Sequence, residues 1–274
     1  MRRPFEQVDV FTETPYTGNP VAVVLDGEGL TVEEMQRVAG WTNLSETTFL
    51  LPPTAPEADY RVRIFTPDRE LPFAGHPTLG SCHAWLSAHA PEREQVTQEC
   101  AAGLVPVRRS SAGLEFAAPP LIRSGPVDEP LQEHLAELLR IDRAQIVDTQ
   151  WVDNGPGWVG VLLRSAGAVL DLRPAPVDLD IGVVGPYPDG TGDAFEVRAF
   201  FLANRVTVED PVTGSLNASL AEWLFRTGRA TSPYVARQGT AIGRSGRVHA
   251  SQDGDGVIWI GGGTHTCVRG EIEV

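Results

Sequence analysis

Three short segments of the chain hold the residue types that proton-transfer chemistry uses. Glu46 lies in Asn43-Leu44-Ser45-Glu46-Thr47-Thr48-Phe49, between a polar loop and an apolar strand. Desolvation at the mouth of a buried strand can raise a carboxylate's pKa, which suits it to general base and acid work. The alternative is a solvated, inert loop glutamate. The other two segments are Ala74-Gly75-His76-Pro77 and Asp210-Pro211-Val212-Thr213-Gly214-Ser215, each opening a helix on glycine. Free N–H groups and the dipole make a helix start an anion site, and glycine lets a ligand's oxygens approach the backbone. Two such starts could grip one carboxylate without a lysine or arginine; otherwise Gly75 and Gly214 are ordinary turn glycines. His76 could hydrogen-bond a substrate or cap its helix. Asp210 could bind an amino or hydroxyl group, or serve as a turn residue before Pro211.

The elements that must position these residues are short. Tyr60–Phe65 alternates apolar and charged residues as a half-buried antiparallel strand does, and Phe195, Val197, Ala199 and Phe201 repeat the pattern. Further strands are expected at Val8–Thr12, Ala22–Leu25, Thr47–Leu51, Gln145–Val147, Val159–Leu163 and Val257–Ile260, punctuated by 28 glycines and 22 prolines. Thr31-Val32-Glu33-Glu34 reads as a capping box, with Leu30 and Met35 as a hydrophobic staple and Gly40 as the stop. A second helix is expected from about Pro77 to Pro91, with Leu79, Cys82 and Leu86 on one face. A third follows Pro130 with Leu131, Leu135, Leu138 and Leu139, and a fourth runs from about Ser215 to Phe225, with Gly228 past its end.

The second and fourth helices each follow an alternating strand and a loop of about ten residues, then open on glycine. This points to an α+β protein of two similar lobes, with the Pro-rich stretch Ala117–Pro130 as the natural boundary. Two unrelated strand–loop–helix units remain the alternative on this pattern alone.

Charge narrows the partners. The 274 residues carry 22 Lys and Arg against 36 Asp and Glu, a formal net charge of −14. Such a field repels phosphate backbones and anionic lipid, so neither nucleic acid nor a membrane surface is expected as partner. Met1-Arg2-Arg3-Pro4-Phe5 has no apolar run behind its basic pair, so no signal peptide is expected. No apolar stretch approaches the roughly 20 residues of a membrane helix, and the expected location is cytoplasmic. Cys82, Cys100 and Cys267 are few, widely spaced and odd in number, against a disulfide framework. Neither they nor the six histidines show metal-ligand spacing, so no metal is expected.

Taken together, longer stretches resemble the phenazine-biosynthesis (PhzF-like) family of the diaminopimelate-epimerase fold. They are Phe11-Thr-Glu-Thr-Pro-Tyr-Thr-Gly-Asn-Pro-Val-Ala-Val-Val24, Asn43-Leu-Ser-Glu-Thr-Thr48, Ile64-Phe-Thr-Pro-Asp-Arg-Glu-Leu-Pro-Phe-Ala-Gly-His-Pro77, Glu209-Asp-Pro-Val-Thr-Gly-Ser215 and Gln238-Gly-Thr-Ala-Ile-Gly-Arg244. The resemblance implies two lobes, each a curved, barrel-like antiparallel sheet wrapped round a central helix, with the active site between them. The lobes would span residues 1–116, joined by a C-terminal strand at about 264–274, and 117–263. It implies Glu46 as the catalytic acid/base, His76 and Asp210 as substrate contacts, and the backbone donors of Gly75, His76, Gly214 and Ser215 as the carboxylate grip. It implies an isomerase without metal or organic cofactor, acting on a small carboxylate and assembled as a homodimer. The best-understood member isomerises trans-2,3-dihydro-3-hydroxyanthranilate.

Two departures matter. Racemases and epimerases of this fold use a pair of cysteines as acid and base, whereas this chain has His76 and Ser215 in those neighbourhoods. The segments Trp151-Val-Asp-Asn-Gly-Pro-Gly-Trp158 and Trp259-Ile-Gly-Gly-Gly263 look unlike the phenazine enzyme, so the substrate can differ. Besides isomerisation, the open alternatives are an amino- or hydroxy-acid epimerase with Glu46 as one base, and an idle binding protein that keeps the pocket.

Overall fold

The computed structural model describes residues 1–203 and 205–274, and its contacts divide them into two units. Unit 1 is Met1–Ala117 with Gly261–Val274, and unit 2 is Ala118–Ile260.

Unit 1 contains β1 (Arg2–Val10), β2 (Asn19–Val24), α1 (Val32–Thr42), β3 (Glu46–Leu51), β4 (Tyr60–Phe65), β5 (Glu70–Leu71), α2 (Gly75–His89), β6 (Gln95–Cys100), β7 (Gly103–Ser110) and β8 (Gly113–Ala117). Unit 2 contains β9 (Arg123–Pro126), α3 (Glu129–Leu139), β10 (Ile146–Asp153), β11 (Val159–Leu163), α4 (Ala166–Leu170), β12 (Ile181–Pro186), β13 (Phe195–Ala203), β14 (Val206–Asp210), α5 (Gly214–Arg226), β15 (Tyr234–Gln238) and β16 (Gly246–Gln252). The chain passes back to unit 1 within β17 (Ile258–Gly262), and β18 (Thr264–Glu273) runs antiparallel to β1.

The two units follow one pairing scheme. In unit 1, β1 and β2 are antiparallel, β2 and β3 parallel, and β3 and β4 antiparallel. β4 then pairs β5 antiparallel and β6 parallel, and β6 pairs β7 antiparallel. Unit 2 repeats each step with β10, β11, β12, β13, β14, β15 and β16 in the same order. The parallel pairs are the ones that need a helical crossover: α1 and α4 serve the first, α2 and α5 the second. The stretch between each alternating strand and its glycine is therefore a hairpin, where a loop was expected.

Side chains repeat as well. Arg63 holds Glu70 by two hydrogen bonds (2.7 and 2.6 Å) and lies over Phe65, two residues along. Arg198 holds Glu209 in the same fork (2.9 and 2.6 Å) and lies over Phe200. Each glutamate sits five residues ahead of the glycine that opens the next helix (70 and 75; 209 and 214). A planar guanidinium matches a carboxylate in this geometry and stacks on an aromatic face, so each pair clamps its hairpin just before the helix.

Local chemistry explains most boundaries. Thr31 and Glu34 exchange the reciprocal bonds of a capping box, and Leu30 packs with Met35 against a core of Val24, Ala39, Phe49 and Phe65. α1 does not stop at Gly40; it continues to Thr42, and Asn43 at φ 54° ends it. Asparagine is a common substitute for glycine in this left-handed conformation. α2 begins at Gly75, two residues before Pro77, because proline fits a helix's first turn.

α2 also differs from the one-sided helix expected. Every residue from Gly75 to Cys82 is buried, and the helix packs on β1, β2, β3, β6, β8 and β18. α5 is buried without interruption from Gly214 to Ala221, then at Trp223 and Leu224. A helix apolar on all sides is an interior helix, and each is the central helix of its unit. Gly80 permits the closeness, since a Cβ there would collide with Val21 of β2. The Pro-rich boundary stretch is not all loop, because β9 pairs with β10.

Candidate active site

The helices fall into two groups by how they start. Thr31, Asp128 and Ser165 accept from first-turn amides of α1, α3 and α4. α2 and α5 have no side-chain cap, although both starts are buried. The first intrahelical bonds run from Thr78 N–H to Ala74 C=O (3.2 Å) and from Asn217 N–H to Thr213 C=O (3.0 Å). The amides before them, at Gly75 and His76 and at Gly214 and Ser215, have no partner along the helix axis. Water or a ligand can accept from such amides, and an anion satisfies both the donors and the dipole.

In unit 1, β3 begins at Glu46 and α2 brings His76 beside it. His76 Nε2 lies 3.1 Å from Glu46 Oε2, with the side chains 5% and 14% exposed. The atoms are in contact but off the alignment of a hydrogen bond. Burial pushes the His76 pKa down to about 3, opposed in part by a hydrogen bond to the Pro20 carbonyl. The imidazole is therefore neutral at pH 7 and the contact is not an ion pair. Asn19, at the start of β2, holds the other side of the ring through Nδ2 and His76 Nδ1, 3.3 Å apart.

In unit 2, Asp210 ends β14 and Oδ2 accepts from the Thr213 hydroxyl at 2.6 Å. Gln238, fully buried in β15, fixes the turn between them. Its Oε1 accepts from Thr213 N–H (3.0 Å) and Asn217 Nδ2 (2.8 Å). Its Nε2 donates to the Asp210 carbonyl (3.2 Å) and Thr213 Oγ1 (2.9 Å). Ser215 receives the indole N–H of Trp158 on Oγ and Asn154 Nδ2–H on its carbonyl. Unit 1 has a parallel to Gln238: Gln98 of β6 is also fully buried and donates to Thr78 Oγ1 (2.9 Å), in the first turn of α2.

The sequence candidates are thus brought together as two groups, Glu46, Gly75 and His76 in one unit and Asp210, Gly214 and Ser215 in the other. Residues not singled out from sequence are Asn19, Asn154, Trp158, Thr213, Asn217 and Gln238. Gln238 opens one of the motifs quoted above, which was the available signal; a glutamine's role depends on what it folds against. A cleft of about 440 Å³ in unit 1, lined among others by Glu28, Arg61 and Arg63, includes none of the candidates. All three cysteine thiols are held above their ordinary pKa by burial, Cys82 at about 12. Among the described residues no group of three His, Cys, Asp or Glu side chains is placed to hold a metal ion.

The fold is a duplicated α+β architecture with a buried central helix in each unit and, in unit 1, a carboxylate set against a histidine. The family model described as phenazine biosynthesis-like protein (PhzC-PhzF) matches residues 8–264, and the chain belongs to this family. It is 35% identical over 261 residues to the trans-2,3-dihydro-3-hydroxyanthranilate isomerase of Pseudomonas aeruginosa, covering 91% of this chain and 90% of that one. It is 33% identical over 290 residues to antisense-enhancing sequence 1 of Schizosaccharomyces pombe, covering 97% of each. The crystal structure of a PhzF-family phenazine biosynthesis protein from Bacillus anthracis superposes over the whole of both chains with a TM-score of 0.83 at 24% identity, a likeness of fold.

Proposed function

We propose that the chain is a cofactor-independent isomerase that moves a proton on a small carboxylate metabolite, with Glu46 as the single acid and base. The observation that carries this is the 3.1 Å approach of Glu46 to an uncharged His76. In this reading the Glu46 carboxylate takes a proton from one carbon and its acid form returns a proton to another. A double bond moves with no change of oxidation state. The uncapped helix starts, Gly75 and His76 in unit 1 and Gly214 and Ser215 in unit 2, are the candidate backbone donors to the substrate carboxylate and to charge developing on it. His76 in unit 1 and Asp210 in unit 2 are the candidate side-chain contacts to the substrate's polar groups.

The substrate named for the Pseudomonas relative, trans-2,3-dihydro-3-hydroxyanthranilate, is the first compound to test. On it the proton would leave C3 and return at C1, giving an enol that tautomerises to the ketone. By family resemblance the working form is a homodimer. Racemisation by two thiols is disfavoured: Cys82 is fully buried inside α2 and its raised pKa keeps it a thiol. The test is Glu46→Gln, which keeps size and polarity but cannot cycle a proton at neutral pH. Turnover, followed by ultraviolet absorbance, should fall about 10²–10⁴-fold while affinity stays within a few-fold. A variant retaining more than about a tenth of the wild-type rate would remove Glu46 as the shuttle.

A further inference from the structure

Ser215, the second residue of α5, is held by a loop that the family motifs quoted above do not include. Trp158 donates its indole N–H to Ser215 Oγ at 3.2 Å, and Asn154 donates Nδ2–H to the Ser215 carbonyl at 2.9 Å. The loop between β10 and β11 that carries both is shaped by Asp153, whose Oδ1 accepts from the amides of Gly155 and Gly157, each at 2.7 Å. Those glycines have φ of 142° and 101°, where a side chain would be strained. Trp158 and Ser215 are both buried.

Hydrogen-bond direction gives this contact its meaning. An indole can only donate, so Ser215 Oγ is committed as an acceptor to Trp158. Its own proton must go elsewhere, and among the described residues no protein acceptor takes it. A serine so placed is a donor beside the free amides of Gly214 and Ser215.

Unit 1 has a comparable contact one residue earlier in the strand. Val21 pairs Glu46 where β2 meets β3, and Val159 pairs Ile181 where β11 meets β12. Trp158 thus corresponds to Pro20. Asn19, next to Pro20, contacts His76, which occupies in α2 the place that Ser215 occupies in α5. In each unit the residues entering this strand orient the second residue of the central helix.

We propose that Trp158 is a positioning residue that presets the Ser215 hydroxyl as a donor to an anionic oxygen, and so selects carboxylates over carboxamides. This rests on reading the α5 start as a carboxylate grip. A carboxamide would bring an NH₂ group among donors, and Trp158 already takes one of the two lone pairs with which Ser215 Oγ could accept from it. Without the indole N–H, Ser215 can turn and accept, and the discrimination weakens.

The probes are anthranilate and anthranilamide, an unreactive 2-amino carboxylate and its carboxamide, with binding measured by calorimetry. Wild type should prefer anthranilate. Trp158→Phe keeps an aromatic ring, though a smaller one, and removes the donor, and should lower that preference about three- to tenfold, the effect of one hydrogen bond. Ser215→Ala should lower it too, and adding Trp158→Phe to Ser215→Ala should change it no further, because the two act as a unit. An unchanged preference in Trp158→Phe, or the same loss with and without the Ser215 hydroxyl, would overturn the inference. If Trp158→Phe does not fold, Ser215→Ala carries the test, and an unaltered preference there overturns it equally. Should wild type show no preference for anthranilate, the grip reading fails and this inference falls with it, an outcome distinct from failure in the variants alone.

Discussion

Glu46 Oε2 stands 3.1 Å from the Nε2 of His76, and burial keeps that imidazole uncharged. The neutral imidazole bears on acid stability. The folded pKa of His76, about 3, lies below its ordinary value of 6.5. Between those values the unfolded chain binds a proton that the folded chain does not, so stability rises with pH across the window and is lost on acidification. The slope from one such group is at most about 1.4 kcal/mol per pH unit. Burial lowers the His83 pKa as well, with the same sign. Urea unfolding of His76→Gln from about pH 4 to about pH 6 should give a shallower rise of stability with pH than wild type. Equal slopes would show that His76 is protonated in the folded protein.

Gln238 is the second test. Gln238→Ala removes the acceptor of Thr213 N–H and of one Asn217 Nδ2 hydrogen, leaving two buried N–H groups unsatisfied while the other Nδ2 hydrogen keeps the Thr213 carbonyl. Stability should fall by about 2–4 kcal/mol, read as a lower urea midpoint, and anthranilate affinity should fall with it because the start of α5 loosens. A loss below about 0.5 kcal/mol, the range of ordinary surface substitutions, would mean that other groups hold the turn.

The duplicated arginine–glutamate forks differ in burial, and that difference predicts unequal costs. The side chains of Arg198 and Glu209 are 6% and 12% exposed, those of Arg63 and Glu70 26% and 34%. Glu209→Ala strands a buried guanidinium and should cost about 3–5 kcal/mol. Glu70→Ala should cost about 1 kcal/mol or less, since water can replace the carboxylate. Equal losses in thermal unfolding would refute burial as the deciding variable.

Alkylation separates carboxylate from thiol chemistry. Iodoacetamide at about pH 8 should leave turnover nearly intact, because burial raises the thiol pKa at all three cysteines and only a thiolate attacks. Loss of activity on mild alkylation, with the fold unchanged, would restore the two-thiol racemase.

Local chemistry was legible wherever it is local. The capping box at Thr31 and Glu34, the alternation of Tyr60–Phe65 and the run of Val159–Leu163 appear in the structure with the boundaries their residues imply. Propensity, caps and period-2 burial act over a few residues, so the sequence states them directly. It misplaced the end of α1 because Gly40 is an equally plausible stop, and packing decided for Asn43. It missed β5 to β9, β12 and β14 to β16; β15 and β16 alternate in burial, but their sequences mix small and polar residues, and pairing shows them to be strands. The glycine-led helix starts and the alternating strands before them were visible as a repeated pattern. The crossovers and the paired Arg–Glu forks were not, since register and salt-bridge partners join residues distant in sequence.

The same division holds at the candidate site. By itself the sequence determined that Glu46 opens an apolar strand, that glycines 75 and 214 precede helices, and which family these motifs resemble. Only the tertiary structure decided that His76 is buried deeply enough to stay neutral beside Glu46. It alone decided that Gln238 spans from β15 to the turn before α5, and that Trp158 spends its one donor on Ser215. Charge state and hydrogen-bond direction depend on what surrounds a group in three dimensions, and a linear sequence does not carry that information.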